Sequence, residues 1–376
     1  MFPAFSQPGV FPEGRLHHLV QAACGSADPQ SAWRACAEAL GDGFPNEGEL
    51  RVFPLIASRL GGDLSQHPLA KYLESARRWA RMQAMLNQQL SSQIGALFKA
   101  EGIPLMWTKG AALVARTDQR ADLRPSADID ALFRWEDVDR ILKLGEAQGW
   151  KPRLSLIRNK ARARYVNTEL SYDIGARGEL DLQWRPRMAF TYDTQIQPWL
   201  WQDPTRVADD TGTYYASDTW LLIEVLDHGL NANEVHPIRW VIDAVRLLEW
   251  RHASIDWEMF VEIVTRNKLH YCFYIGLQAV AKYSPHIPQS VLDQLQKTRV
   301  SFLDKEELKA RLSAQNLAKA YSAQHALNRL RREPSKMYYK SPVNPLLRRL
   351  NISMPARAII AARNIFTRVL FLLWYL

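Results

Sequence analysis

Cysteine is scarce in this chain. Three residues of the 376, Cys24, Cys36 and Cys272, carry thiols, at spacings that form neither a disulfide framework nor a zinc-ligand pattern. A cross-braced secreted scaffold and a thiolate metal cage are thereby excluded, and a reducing, cytoplasmic setting is expected. Long apolar runs are missing as well. The longest, "VLFLLWYL" at 369–376, falls well short of the roughly 20 residues a spanning helix needs. The opening "MFPAFSQPGVFPEGR" has no basic segment leading into an apolar core, so no secretory leader is expected. Glycine-rich dinucleotide fingerprints, Walker-type loops and serine-nucleophile elbows are also lacking. His17, His18, His228 and His236 have no acidic partner at a metal-ligand spacing and are expected to be structural.

Excess charge is absent from most of the chain. The net charge is +9, but residues 328–376 contain ten Lys or Arg against one acid, Glu333. Residues 1–327 therefore balance to zero. The high isoelectric point belongs to the tail, which disfavours a nucleic-acid-binding body. In that tail Arg348, Arg349, Arg357, Arg363 and Arg368 interleave with apolar residues. Two readings fit: a helix docked on the globular body with its arginines in solvent, or a basic amphipathic segment lying on an anionic membrane or a partner.

What is present is an ordinary globular composition, 47% hydrophobic and 23% charged, enough for a large core without staples. Thirteen tryptophans scatter along the chain and are expected to be core or boundary anchors. Residues 1–100 read as helical. Within 69–102, Tyr72, Ala76, Trp79, Met82, Leu86, Leu90, Ile94 and Leu97 recur at helical spacing and predict one apolar face. "IPLMW" predicts a buried strand, "KGAALVART" a turn into a short helix, and "DIDALF" a half-buried strand. "WEDVDRILKLGEAQGW" predicts a helix, and "ELSYDIG" with "ELDLQW" two antiparallel strands. Helices return after residue 216. The expected organisation is an N-terminal helical region (1–100), an α/β core (101–205), a C-terminal helical domain (206–327) and the basic tail (328–376).

Side chains at i and i+2 of a strand share a face. Asp128 and Asp130 would project together, as would Glu179 and Asp181. If the two strands are neighbours, at least three carboxylates converge, a costly arrangement unless a cation neutralises it. All-oxygen donors suit Mg²⁺. Two such ions serve phosphoryl and nucleotidyl transfer. Upstream, Gly110 would let the backbone approach a phosphate, the helix starting there would aim N–H groups at it, and Lys109 would add a point charge. Taken residue by residue, solvated charges beside a buried strand remain an open alternative.

The ordered blocks "IPLMWTKGAAL", "LRPSADIDALF", "ELDLQW" and "LDHGLNANEVHPIRWVIDAVRLL" resemble the uncharacterised nucleotidyltransferase family of the DNA polymerase β-like superfamily, over about residues 70–280. The resemblance implies an α+β fold: a small mixed sheet, palm-like as in polymerase β, flanked by helical regions. It implies Asp128, Asp130 and Asp181 as metal ligands and catalytic carboxylates, with Asp181 helping to deprotonate the acceptor. Lys109, Gly110 and Arg124 would be nucleotide-binding, Arg124 being equally suited to bracing the strand entry. His228, Arg239 and Asp243 match the helical block and are expected to form an internal polar network. The implied activity moves a nucleoside monophosphate from an NTP, ATP first among candidates, to an unidentified acceptor with two Mg²⁺ ions. The alternative is a catalytically silent scaffold or regulatory binding protein of the same fold. Two departures stand out: Ala111 stands where the wider superfamily, though not this family, has Ser or Gly at the phosphate turn, and Gln183 stands where a histidine is common.

Overall fold

The apolar stretch before Lys109 is short because Thr108 and Gly110 admit a helix immediately, and it contributes a two-residue strand, β1 (Met106–Trp107). β2 (Asp128–Leu132) follows, alternating carboxylates on one face with Ile129 and Ala131 on the other; Asp130 is itself buried. The remaining strands are β3 (Lys151–Pro152), β4 (Glu169–Asp173), β5 (Glu179–Gln183), β6 (Val207–Ala208) and β7 (Tyr214–Tyr215). They form one mixed seven-stranded sheet in the order β3-β4-β5-β2-β1-β7-β6. β2 runs parallel to β5 and β1 parallel to β7, while the other neighbours are antiparallel.

This computed structural model describes residues 9–25, 27–118, 120–152, 169–174, 178–190, 192–203, 206–208, 212–231, 233, 238–312 and 324. The basic tail and the end of the last expected helix lie outside them. Before the sheet come α1 (Arg15–Cys24), α2 (Pro29–Leu40), α3 (Glu47–Leu50), α4 (Phe53–Leu60) and α5 (Ala70–Ala100). Within it lie α6 (Lys109–Arg116), α7 (Val138–Ala147) and α8 (Ile196–Gln202). After it follow α9 (Asp218–Gly229), α10 (Arg239–Arg251), α11 (Trp257–Arg266), α12 (His270–Ala281), α13 (Gln289–Lys297) and α14 (Phe302–Leu312). The architecture is α+β and rich in helix. None of the described helices is long and apolar enough to cross a membrane.

Local chemistry explains most boundaries. Asp28 caps α2 through the Ser31 N–H at 2.8 Å, with Pro29 at the first turn, and Asp256 caps α11 through the Met259 N–H at 2.9 Å. The segment 256–283, which reads as one helix, is broken between α11 and α12, where Lys268 adopts φ 56°. The predicted face of α5 is only partly used. Leu73, Ala76 and Ala80 are buried in its first half and Leu90, Ile94 and Phe98 in its second, whereas Trp79, Met82 and Leu86 are exposed. The exposed apolar residues lie between two buried halves of this 31-residue helix, so periodicity alone does not say which part of a stripe finds a partner. Several tryptophans anchor the core as expected: Trp33, Trp184 and Trp220 are fully buried, and Trp33 also donates to the Pro68 carbonyl at 2.9 Å.

Candidate functional site

The register of β2 against β5 makes the centre. Asp128 lies opposite Glu179 and Asp130 opposite Asp181, so the alternation of both strands turns the acids to one face and the leucine–isoleucine layer to the other. Carboxylate oxygens of Asp128, Asp130 and Asp181 come within 4.8 Å of one another. Among the described residues this is the one such group able to hold a metal ion. Its donors are all hard oxygens, the set that suits a small divalent cation. Crowding is evident in the protonation behaviour. Burial, and then the charges of Asp128 and Asp181, push Asp130 up to about 8 despite the opposing ammonium of Lys109. Asp128 is held below the usual range: burial would raise it, but Lys109 and the Ser126 hydroxyl, which donates at 2.8 Å, prevail.

Lys109 and Gly110 open α6 beside these acids. The Lys109 ammonium pairs with Oδ1 of Asp130, and its backbone is left-handed at φ 45°. The N–H of Lys109 donates to Oε2 of Glu224 at 2.9 Å, and the Thr108 hydroxyl donates to the same oxygen. An internal carboxylate therefore occupies the first amide of the helix, in place of the phosphate expected from the Lys-Gly turn. Burial raises Glu224 above its ordinary range. Gly110 has a second duty: a Cβ there would lie 2.7 Å from Nη1 of Arg124 and 3.2 Å from Oγ of Ser126.

Arg124 is anchored by Asp243, which accepts from its Nε at 2.9 Å and its Nη2 at 2.8 Å. Arg239 donates to the Pro125 carbonyl at 2.6 Å and lies 3.9 Å from Asp243. Arg239 and Asp243 thus belong to an internal polar network that braces the entry to β2, as expected, whereas His228 is exposed on α9. Because Asp243 holds Arg124 in place, Gly110→Ala is expected to destabilise. An alanine gains up to about 1 kcal/mol in an open helix, but overpacking against a pinned guanidinium costs about 1–3 kcal/mol. Urea denaturation of the variant should show a net loss, and a net gain would mean that Arg124 yields freely.

Further groups escaped the sequence reading. Glu169, on β4, lies opposite Gln183, and Nε2 of Gln183 is 3.3 Å from both Oε2 of Glu169 and Oδ1 of Asp130. Gln183 thus spans two carboxylates. Burial and the nearby Asp181 raise Glu169. Beyond β5, Arg187 donates to Oδ2 of Asp227 at 2.7 Å, and Arg311 of α14 donates to Oδ1 at 2.8 Å. A signal existed for Glu224 and Asp227, acids set within the apolar run "WLLIEVLDHG". Arg187 and Arg311 carried none, since their partner is reached only through the fold.

A helix-rich α+β protein with one mixed sheet and three converging carboxylates able to hold a metal ion is the class that fold and site define. Within that class the chain belongs to the family described as uncharacterised nucleotidyltransferase, whose profile matches residues 49–285. Membership implies a nucleotide substrate and an acceptor. The chain is also similar to a solved structure, the solution structure of antibiotic-resistance factor ANT(2'')-Ia. The likeness is at 14% identity, over 46% of this chain and 91% of that one, with a TM-score of 0.30. No curated protein matches.

Proposed function

We propose that this protein is a metal-dependent nucleotidyltransferase that moves a nucleoside monophosphate from an NTP, with ATP the first candidate, to an acceptor not yet identified. The observation that carries this reading is the approach of Asp128, Asp130 and Asp181 within 4.8 Å, in a chain of a nucleotidyltransferase family. These three carboxylates would hold Mg²⁺, two ions being the number that fits three acids and a triphosphate. When bound, the ions supply Lewis acidity to the α-phosphate and neutralise the charge of the departing pyrophosphate.

The chain's own residues do the rest. Asp128 and Asp130, on adjacent turns of the pleat, offer oxygens from one strand face. Asp181 holds the acceptor hydroxyl and takes its proton as the acceptor oxygen bonds to the α-phosphorus and the bond to the bridging oxygen of pyrophosphate breaks. Lys109, kept charged by Asp130 although burial opposes it, offers positive charge to donor phosphate oxygens. Gly110 leaves the space in which Arg124 reaches the same wall, and Arg124 adds the guanidinium. The palm-like sheet, which extends past residue 205 to β7 at Tyr214–Tyr215, is the catalytic part in this reading.

The test uses α-³²P-labelled ATP, GTP, CTP and UTP, each incubated with the protein, Mg²⁺ and cell extract. One nucleotide is expected to pass label to a discrete acceptor with stoichiometric pyrophosphate, and chelation with EDTA should stop it. Binding of nucleotide with no transfer from any of the four would instead identify a silent member of the fold.

A further inference from the structure

A cavity of about 340 Å³ lies between α5 and α6, within the range of small-molecule sites. Its wall includes Trp107, Ile129 and Tyr215. Trp107 is the register partner of both Ala131 and Tyr215, so these side chains belong to the sheet face opposite the metal-binding acids. The cavity is therefore not the carboxylate centre itself. It meets that centre at one cluster: Gly110, Arg124, Ser126 and Asp128 all line it, and Ser126 donates to Asp128 at 2.8 Å.

Two features specify an occupant. The first is an unpaired guanidinium nitrogen. Arg124 is nine-tenths buried; its Nε and Nη2 serve Asp243, and its Nη1 has no hydrogen-bond partner. A buried donor left unpaired is costly, and this one belongs to a pair of arginines, Arg124 and Arg239, that share the single carboxylate of Asp243 at 2.8 and 3.9 Å. An anionic oxygen is the partner that an unpaired guanidinium nitrogen favours. The second feature is the remaining wall. α5 contributes Asn87, Gln88 and Ser91, amide and hydroxyl groups on one helix face, and α6 opposes them with Val114. The lining has no charged side chain other than Arg124 and Asp128. It suits a neutral body with hydrogen-bonding groups and one apolar face.

We propose that the cavity between α5 and α6 holds the neutral, hydroxyl-bearing body of a phosphate ester, with its phosphate against Nη1 of Arg124 beside Gly110. The proposal rests on the nucleotidyl-transfer reading and deepens it, since a phosphate at Gly110 is adjacent to Asp128. The same chemistry has two sources: the nucleoside part of the donor, or the sugar of a phosphorylated acceptor.

Ser91→Trp fills the cavity from α5 without touching an acid, and Arg124→Lys removes the guanidinium fork while keeping the charge. Calorimetry would follow a non-hydrolysable ATP analogue, AMP, glucose 1-phosphate and ribose 5-phosphate, each with Mn²⁺. Mn²⁺ alone would be followed by electron paramagnetic resonance. Ser91→Trp is expected to weaken at least one phosphorylated probe by about tenfold or more and to leave Mn²⁺ affinity unchanged. Selective loss of the nucleotides identifies the donor; selective loss of the sugar phosphates identifies an acceptor. Wild-type affinity of Ser91→Trp for every probe overturns the proposal, as does failure of the wild type to bind any probe at about 5 mM. Failure of the nucleotidyl-transfer reading is seen separately, as Mn²⁺ binding that survives Asp128→Asn with Asp130→Asn.

Discussion

Replacing Asp128 and Asp130 together with asparagine is expected to abolish metal-dependent nucleotide binding and to lower any transfer activity by about 10³-fold or more, the scale on which loss of one transition-state charge stabiliser is felt. Asparagine keeps the shape and removes the charge, so the sheet should survive. The two acids share one face of β2, and with Asp181 they form the described group able to hold a cation. Burial first, and then the charges of Asp128 and Asp181, hold Asp130 at about 8, and a divalent ion would relieve the repulsive part of that shift. Mg²⁺ or Mn²⁺ should therefore raise the melting temperature of the wild type and leave that of the double variant unchanged. Equal affinity of wild type and variant for Mg²⁺·ATP would remove these residues from the site.

Asp227→Asn should cause the largest loss of stability among single changes near the centre. Asp227 is 2% exposed at its side chain and accepts from Arg187 and Arg311, which are 17% and 4% exposed. Taking the charge from one partner of a buried pair leaves the others uncompensated, at about 3–5 kcal/mol. The lower end applies here because Arg187 reaches solvent and Glu307 also holds Arg311, at 3.1 Å. The pH dependence has a definite sign. Burial would raise Asp227, but Arg311 and Arg187 depress it from 3.8 to about 2. Its folded value lies below its unfolded one, so its stabilisation is complete above about pH 4 and is lost as pH falls through about 2. Wild-type and variant denaturation curves should differ most near neutrality and converge toward pH 2. A constant difference across that window would assign the loss to packing rather than charge.

Much of the candidate site was legible because strand alternation is a local property. The Asp-Ile-Asp of β2 and the Glu-Leu-Asp of β5 each declare a polar face with no knowledge of the partner strand. The helix after Lys109 was legible for the same reason, from Gly110 and the apolar spacing that follows. Glu169 was not, because its relevance depends on the register that places it against Gln183. The exposed middle of α5, Trp79, Met82 and Leu86, was not legible, because a helical stripe shows which residues share a face and not where along it a packing partner lies.

Local pattern is enough to specify the carboxylates, the strands that bear them, the Lys-Gly start of α6 and the confinement of excess charge to the tail. These follow from side-chain periodicity, turn chemistry and composition, which act over a few residues. Only the tertiary structure decided that β2 and β5 run side by side with Asp130 against Asp181, and that Glu224 takes the first amide of α6. It also decided that Arg124 is pinned by Asp243 with one nitrogen left unpaired. The contacts of Glu224 and Asp243 join residues 115 and 119 positions apart. At such separations, packing of the whole core selects which buried charges meet, and no local pattern encodes the choice.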